Sequence, residues 1–458
     1  MAPKAISGFP EWLPTGYLVE RHVVETLRQE FELHSYQEIQ TRAVEPLGEL
    51  LRKGETSKEV YVLGRLQDMM AASADTANQP DQIDESALAL HFDLTVPLAR
   101  YVLQHQNDLA FPFKRYQIQP VWRGERPQTG RFRQFTQADI DVIGRDHLPA
   151  HFETELPLVI ARALRRLGLS IRVQVNNRQI CQGFYTGIGL DQVDAVLREV
   201  DKLEKTGPAA VQAALVANGA SQAQAAACLD LAAISADAGP DLEAAVTDLA
   251  GRVGVSGKAA AVLEAGLADL VTLLDQANTA FPGTFTAELK IARGLDYYTG
   301  AVYETIWLGH EDLGSICSGG RYDSLAKDNR ATYPGIGLSV GISRLVSRLI
   351  SQNLMQPTRA VPAACLVAVT NETERPASDK AANQLRARGI ATDVAPAAAK
   401  FGKQIAYASK RGIPFVVFLD AAGAAQAKDL RSGEQVAIDL ATWRPPAADL
   451  RVGFAGLD

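Results

Sequence analysis

The segment from Phe113 to Asp141 concentrates residue types that bind nucleotides and charged groups. Its two halves alternate with a period of two, which predicts two β-strands with different side chains on each face. One face gathers arginines, amides, carboxylates and a phenylalanine, namely Arg115, Gln117, Gln119, Arg123, Glu125, Arg133, Phe135, Gln137, Asp139 and Asp141. Guanidinium groups bind phosphates, an exposed aromatic ring stacks on a base, and paired carboxylates hold a cationic group.

A basic loop with turn-forming residues, 126–131, joins the two predicted strands. An ordinary amphipathic hairpin with one solvated face is the structural alternative for such an alternating segment. Neither lysine nor serine dominates the polar face here, so the residue types favour a binding site over a solvated surface.

This segment resembles motif 2 of class II aminoacyl-tRNA synthetases, in the form found in the histidyl-tRNA synthetase family, and the resemblance extends across nearly the whole chain. It implies that Arg123 orients the ATP α-phosphate, Glu125 meets the adenine amino edge, and Phe135 stacks on the base. The other roles that it implies here are Arg133 for ATP, Gln137 for histidine binding and catalysis, Asp141 for the imidazole ring, and Gln128, Gly130 and Arg131 for the tRNA acceptor end.

A second segment, LKIARGLDYYTGAVYE at 289–304, resembles a signature peculiar to the same family. By that resemblance Arg293 contacts the ATP α-phosphate and the substrate carboxylate, and Tyr297 and Tyr298 line the histidine pocket. A fixed guanidinium would stabilise the charge that builds on the α-phosphoryl oxygens during transfer. Taken alone, the segment suits core tyrosines beside a surface arginine equally well.

Two glycine-containing segments follow. In CSGGRYDSL, 317–325, the glycine pair permits close backbone approach to a ligand, and the resemblance makes Tyr322 a histidine contact. GIGLSVGISRL, 335–345, resembles motif 3 of the class, in which Arg344 would reach the ATP γ-phosphate. Ser343 stands where related families commonly have a glutamate.

HFDLTVPLARY, 91–101, resembles the amino-acid-binding strand of the family. Asp93 and Thr95 would hold the substrate α-amino group, because a carboxylate can pair with an ammonium. Of the seven histidines only His91 falls in these motifs, as the first residue of this strand, and no histidine is assigned a catalytic role.

The elements that must position these residues fall into successive blocks. The resemblance implies an α+β catalytic domain, with an antiparallel sheet flanked by helices, in residues 1–180 and 284–350. Residues 181–283 are alanine-rich with helical periodicity, which predicts a helical insertion that serves either as a tRNA contact or as a spacer. Residues 351–360 are expected to be a linker, and 361–458 alternate strands and helices like an α/β anticodon-binding domain.

The N-terminal region is predicted to contain a helix over 17–33 and a strand from Tyr36 to Val44, followed by the apolar run 47–51. This order resembles motif 1, which forms much of the dimer interface in the class, and so implies a homodimer. Arg42 stands in place of the proline that usually marks the motif. A core helix and strand without a role in dimerisation is the alternative.

Composition limits the class of protein. The 458 residues, 47% hydrophobic and 22% charged, indicate an ordinary globular chain of two or three domains. The net charge of -7 argues against a generally basic nucleic-acid coat protein, although a local basic groove suffices for RNA. Four separated cysteines without a CxxC pair indicate neither a zinc site nor a disulfide framework. With no apolar run long enough for a membrane span, a cytoplasmic protein is expected.

The expected function is histidine–tRNA ligation, with ATP as substrate accompanied by magnesium, and with L-histidine and tRNA(His) as partners. No magnesium ligand can be assigned from the sequence. The main alternative is an inactive, synthetase-like regulatory subunit of ATP phosphoribosyltransferase. Such proteins typically lose the ATP-contacting arginines and the anticodon domain, whereas this chain keeps Arg123, Arg293, Arg344 and residues 361–458.

Overall fold

The computed structural model describes residues 3–51, 59–67, 84, 86–128, 130–292 and 298–456. The chain divides into two compact units. The first contains the residues up to Pro10 and Val23–Ser347, and the second contains Glu11–His22 and the residues from Arg348 onward. No helix in these ranges is long and apolar enough to cross a membrane.

A nine-stranded sheet forms the centre of the first unit, in the order β1-β4-β5-β11-β10-β9-β6-β8-β7. Its strands, together with the separate β2–β3 pair, are β1 (Gln37–Glu38), β2 (Val44–Pro46), β3 (Leu88–Leu90), β4 (Phe113–Trp122), β5 (Gln134–Ile143), β6 (Ile171–Asn177), β7 (Ser235–Ala236), β8 (Phe285–Glu288), β9 (Ala301–Trp307), β10 (Ser315–Lys327) and β11 (Thr332–Gly341). The expected antiparallel sheet is confirmed from β4 to β6, whereas the β1–β4 and β6–β8 pairs are parallel.

Helices surround this sheet. In chain order they are α1 (Pro14–Leu33), α2 (Leu47–Leu51), α3 (Thr95–His105), α4 (Phe152–Arg166), α5 (Arg178–Gly187), α6 (Val193–Val200), α7 (Leu203–Thr206), α8 (Pro208–Ala217), α9 (Gln222–Ala232), α10 (Gly239–Val253), α11 (Gly257–Ala280) and α12 (Ile342–Ser351). The amphipathic α4 buries one apolar side, including Leu156, Ile160 and Leu164. Residues 181–283 are mainly helical, as predicted, apart from the two-residue strand β7.

The prediction of a single strand from Tyr36 to Val44 is wrong, because the chain forms two short strands with different partners. Strand β1 pairs with β4, and β2 pairs with β3. Between them the backbone of Thr41 is satisfied by a side chain, since its N–H donates to Gln119 Oε1 and its carbonyl accepts from Gln119 Nε2. A glutamine side chain thus replaces a neighbouring strand at this point.

A buried carboxylate organises the region that resembles motif 1. Glu45 is 1% exposed, and its two oxygens receive Arg42 Nη2 at 2.8 Å and Arg100 Nη2 at 2.6 Å. A buried carboxylate requires such partners, because an unpaired charge away from water is strongly unfavourable. Arg42, which replaces the usual proline, therefore participates in an ion cluster with β2 and α3.

The second unit has a five-stranded sheet with the order β14-β13-β15-β16-β17. Its elements are β12 (Gln356–Pro357), β13 (Cys365–Val367), α13 (Arg375–Ala387), β14 (Thr392–Val394), α14 (Phe401–Lys410), β15 (Phe415–Leu419), β16 (Ala425–Asp429), β17 (Gln435–Ile438) and β18 (Phe454–Ala455). The predicted alternation of strands and helices is confirmed, with β13 parallel to both neighbours. In the region expected to be a linker, β12 pairs with β18 and Arg359 is buried.

Helices α5 and α11 approach closely where both carry glycine. A Cβ atom added at Gly183 would lie 2.5 Å from Leu263 N and 2.6 Å from Ala259 O, and one at Gly266 would lie 2.9 Å from Ile180 N. Both positions are therefore restricted to glycine by the neighbouring backbone. This contact joins the last helix of the 181–283 region to the helix that follows β6.

We expect Gly183→Ala to lower the free energy of unfolding by about 1–3 kcal/mol, because the added methyl group overpacks a backbone contact. Gly251→Ala in α10 is the matched control, since nothing lies within 4 Å of its added Cβ. The control should be neutral or stabilising by up to about 1 kcal/mol. Urea unfolding followed by circular dichroism measures both, and equal midpoints would contradict the expectation.

Candidate active site

The register of the central strands aligns polar residues in a row across the sheet. Successive partners in this row are Gln117, Asp139, Ser339, Ser318, Glu304 and Gln174, on β4, β5, β11, β10, β9 and β6. Directly paired residues in a sheet project their side chains to the same face. The row is buried at Gln117 and Asp139 and exposed at Ser318, so it leads from the interior to an open surface. We call it the polar row.

A second row, two residues along each strand, contains an ion pair and two glycines. Arg115 Nη2 lies 2.7 Å from Asp141 Oδ2, and Tyr322 Oη donates to Asp141 Oδ1 at 2.6 Å. Opposite Asp141 is Gly337, where any Cβ would overlap that carboxylate. The absence of a side chain at Gly337 therefore makes room for the acid. Asp141, expected to accept a hydrogen bond from an imidazole, is held by an arginine and a tyrosine.

A cavity of about 740 Å³ opens beside the polar row. Seven of the sixteen expected site residues line it, namely Arg123, Glu125, Gly130, Arg131, Phe135, Gln137 and Arg344. The expected residues that do not line it are Asp93, Thr95, Gln128, Arg133, Asp141, Tyr298 and Tyr322. Arg293 and Tyr297 lie outside the described residues. The structure thus brings together the residues expected to bind ATP more completely than those expected to bind histidine.

Arg123 lies between two aromatic rings. Its guanidinium carbon is 4.4 Å from the centre of the Phe92 ring and 5.0 Å from that of Phe135, and its Nε donates to the Phe92 carbonyl at 3.2 Å. Burial lowers the pKa of Arg123, and nearby carboxylates, among them Asp93 and Glu125, act in the opposite direction. The stacking and the hydrogen bond fix this cation at the cavity wall.

Two arginines shape the loop between β4 and β5. Arg344 Nε donates to the Gly130 carbonyl at 3.0 Å, and its Nη1 donates to the Ser315 carbonyl. Arg133 Nε donates to the Glu125 carbonyl at 3.3 Å, so it supports the loop from outside the cavity. Within the loop, the backbones of Gln128 and Arg131 form hydrogen bonds with each other, and both residues are exposed.

Apart from Gln137, the described residues expected to hold the amino acid do not line the cavity. Asp93 Oδ1 accepts from the Val96 N–H at 3.1 Å, and Thr95 is the first residue of α3, so this acid lies at a helix N-terminus. Tyr298 packs against Gly320, where an added Cβ would lie 2.8 Å from the tyrosine ring. Tyr322 is 2% exposed and reaches Asp141.

Sequence reasoning missed Asp139 as a site residue. Its carboxyl group is 4% exposed and accepts a hydrogen bond from Ser339, while within the described part of the chain its Oδ1 has no hydrogen-bond partner. Burial raises the pKa of Asp139 to about 7, with Arg115 acting to lower it and Asp141 to raise it. The alternation Gln137, Asp139, Asp141 already placed the residue on the functional face.

The helical region 181–283 also contributes to the cavity, which its sequence did not indicate. Asp201, Glu204 and Lys205 line one side, together with Lys290, whose Nζ lies 3.2 Å from Glu204 Oε1. Among the residues that the structure describes, no three histidine, cysteine, aspartate or glutamate side chains form a metal-binding group. The arginines, the amide side chains and Phe135 of the cavity wall suit a ligand with anionic groups and a planar ring.

A sheet of this topology, with arginines and a stacked phenylalanine beside a polar row, defines a class II aminoacyl-tRNA synthetase. Sequence profiles described as histidyl-tRNA synthetase and as anticodon binding domain match residues 8–345 and 364–443. The chain belongs to the histidyl-tRNA synthetase family.

Similar proteins agree with this membership. Histidine–tRNA ligases of Bifidobacterium longum subsp. infantis and Micrococcus luteus are 53% and 51% identical, covering 96% and 98% of this chain and 97% and 98% of their own lengths. A histidyl-tRNA synthetase from Nostoc has a similar structure, with a TM-score of 0.81 at 33% identity, covering 96% of this chain and 97% of its own. The family and fold expected from the sequence are thereby confirmed.

We expect Asp139→Asn to gain stability relative to the natural chain as pH rises from about 4 to about 7. The pKa of Asp139 is raised from 3.8 to about 7 in the fold, so in that interval the folded state holds a proton that the unfolded state has lost. The contribution of Asp139 to stability therefore falls with rising pH, by about 1 kcal/mol per pH unit.

Urea unfolding at several pH values measures this difference. Asp230→Asn, which changes an exposed carboxylate on α9, is the matched control and should differ from the natural chain by a constant amount. A pH-independent difference for Asp139→Asn as well would show that the acid is not protonated in the fold.

Proposed function

We propose that the chain activates L-histidine with ATP and transfers it to the end of tRNA(His) through the 740 Å³ cavity. The main support for these residue roles is the position of Arg123, whose guanidinium lies over the Phe135 ring in the wall of this cavity. A nucleotide base can stack on that aromatic wall while its phosphates meet fixed guanidinium groups.

At the nucleotide end, Arg123 orients the α-phosphate, Glu125 accepts from the adenine amino group, and Phe135 stacks on the ring. Arg344 contacts the γ-phosphate, and Arg133 supports the loop that carries Glu125. Family resemblance adds Arg293, outside the described residues, as a second guanidinium at the α-phosphate. Preorganised cations stabilise the charge that develops on the phosphoryl oxygens without reorganising.

At the amino-acid end, the carboxyl of Asp93, the hydroxyl of Thr95 and Oε1 of Gln137 receive the substrate ammonium. Asp141 and Tyr322 pair with the imidazole. The resemblance adds Tyr298 and, outside the described residues, Tyr297 as residues that line the histidine pocket. Asp141 Oδ2 lies 2.7 Å from Arg115 Nη2, and a carboxylate paired with a guanidinium in this way can accept from a ring N–H. A site that satisfies both ring nitrogens rejects side chains that would leave its buried groups unpaired.

Activation begins when a histidine carboxylate oxygen attacks the α-phosphorus. A new P–O bond forms, the bond to the β-phosphate bridging oxygen breaks, and pyrophosphate leaves with those electrons. In the second step a terminal ribose hydroxyl of the tRNA attacks the adenylate carbonyl, and AMP leaves. Gln128, Gly130 and Arg131, in the loop at the cavity rim, would contact the acceptor end.

Magnesium accompanies ATP in this proposal, and its charge would offset that of the β- and γ-phosphates. The described residues provide no preformed carboxylate cluster for it, so the triphosphate itself would supply most of its ligands. We further propose that the chain is a cytoplasmic homodimer whose interface uses the region that resembles motif 1, residues 17–51. The second unit would bind the tRNA anticodon.

The alternative is a regulatory subunit without ligase activity. Two features favour the enzyme over that alternative. Arg123 and Arg344 are retained and line the cavity, and the anticodon binding domain profile matches residues 364–443. A subunit that only senses histidine needs neither the phosphate-binding arginines nor an anticodon-binding unit.

ATP–pyrophosphate exchange tests the proposal with each standard amino acid in turn. We expect exchange with histidine alone, and a decrease of about 100-fold or more in Arg123→Lys, because lysine cannot reproduce the stacked, forked guanidinium. Arg293→Ala should be equally impaired if its assigned role is right.

Arg126→Lys is the matched control, because Arg126 is exposed on the same loop and does not line the cavity. It should retain the exchange rate of the natural chain. Histidine binding by calorimetry without any exchange would reject the ligase and support the regulatory subunit.

A further inference from the structure

Three side chains form a hydrogen-bonded series at the base of the cavity. Gln137 Nε2 donates to Ser339 Oγ at 2.8 Å, and the Ser339 hydroxyl donates to the Asp139 carboxylate. Gln137 Oε1 is buried and has no hydrogen-bond partner among the described residues. Since Gln137 and Ser339 line the cavity while Asp139 lies behind them, the series connects a buried acid to the ligand space.

The chemistry of the last member fixes the direction of the whole series. An ionised carboxylate has no proton and can only accept a hydrogen bond. The Ser339 hydroxyl must therefore be the donor in its hydrogen bond with Asp139. The Ser339 oxygen is then left as an acceptor, and the amide nitrogen of Gln137 is the group that can donate to it. The amide oxygen, which has no partner among the described residues, is consequently the atom left to accept a hydrogen bond from a ligand. Without the acid, Ser339 could donate to Gln137 Oε1 and the amide could turn over.

We propose that Asp139 is a positioning residue that acts through Ser339 to fix the amide of Gln137, so that Oε1 faces the ammonium group of the substrate. The inference rests on the proposed function, since it assumes that the cavity binds an amino acid. A turned amide would present two N–H donors to the ammonium, which is also a donor, and the hydrogen bond would be lost. Asp139 thereby influences affinity for histidine without touching it.

The charge on Asp139 depends on every group that faces it. These groups are Arg115 on β4, Asp141 on its own strand, Ser339 on β11, Cys317 on β10, Asp93 before α3 and Arg123 after β4. Burial and the two other acids favour the neutral form, while Arg115 and the Ser339 hydroxyl favour the anion. With a pKa of about 7, the acid is mostly an anion at pH 8 and mostly neutral at pH 6. The neutral form can donate, and so it no longer sets the direction of the series.

The test compares KM for histidine in pyrophosphate exchange among the natural chain, Asp139→Asn and Ser339→Ala. At pH 8 we expect both variants to raise KM about tenfold or more, with kcat changed by less than about threefold, as for the loss of a binding contact. At pH 6 the ratio of variant to natural KM should fall toward one. Comparing ratios removes the titration of histidine itself, which is common to all the proteins.

An analogue without the ammonium group separates positioning from general damage. Imidazolepropionate, tested as a competitor of histidine at pH 8, should inhibit the natural chain and Asp139→Asn with similar constants. Asp230→Asn, which changes an exposed carboxylate outside the cavity, is the matched control and should leave both constants unchanged.

Equal weakening of histidine and imidazolepropionate, or a KM ratio independent of pH, would overturn the positioning role. The natural chain distinguishes this failure from failure of the proposed function. If the natural chain exchanges pyrophosphate with histidine and the variants have the same KM, only the positioning role proposed for Asp139 is rejected. If it does not exchange at all, the ligase assignment fails first.

Discussion

The site depends on the antiparallel pairing of β5 with β11. That pairing sets which side chains face each other in the polar row and in the second row, which contains the Arg115–Asp141 ion pair. It places Asp141 opposite Gly337 and Asp139 opposite Ser339. A shift by one residue would send the acids to the other face and bring a side chain against Asp141. The register is therefore a requirement for the fold and for the chemistry together.

Buried charge is the second constraint. Arg115 is fully buried, and it is the cation that allows two carboxyl groups to occupy adjacent rows of the sheet. Asp141 receives the direct ion pair and a tyrosine hydroxyl, whereas Asp139 receives a serine hydroxyl, and its Oδ1 has no partner within the part of the chain that the structure describes. The same sheet thus pairs one acid directly with a cation, while burial raises the pKa of its neighbour to about 7.

Much of this arrangement could be predicted from the sequence, because the relevant signals are local. Alternation in 113–141 predicted the two strands and their functional face, and the helical periodicity of 181–283 predicted the helices of that region. The break between β1 and β2 could not be predicted, since it depends on Gln119, a residue 78 positions away that bonds the Thr41 backbone.

The roles of Arg115 and Asp139 were hidden for a similar reason. Their types and their face were visible, but their burial and their partners depend on strands far along the chain. The contribution of residues 201–205 to the cavity likewise arises from tertiary packing, which an alanine-rich helical pattern does not reveal.

The distances along the chain have a consequence for biosynthesis. Gln137 and Ser339 are 202 positions apart, and the helices of residues 181–283 come between them in synthesis. A ribosome completes β4 and β5 long before β11 exists, so the charged face of that hairpin stays open while the helical region emerges. Long-range strand pairing closes slowly because a large loop must be ordered first. During the interval between the synthesis of β5 and that of β11, the charged side chains on the exposed face of the β4–β5 hairpin would discourage aggregation.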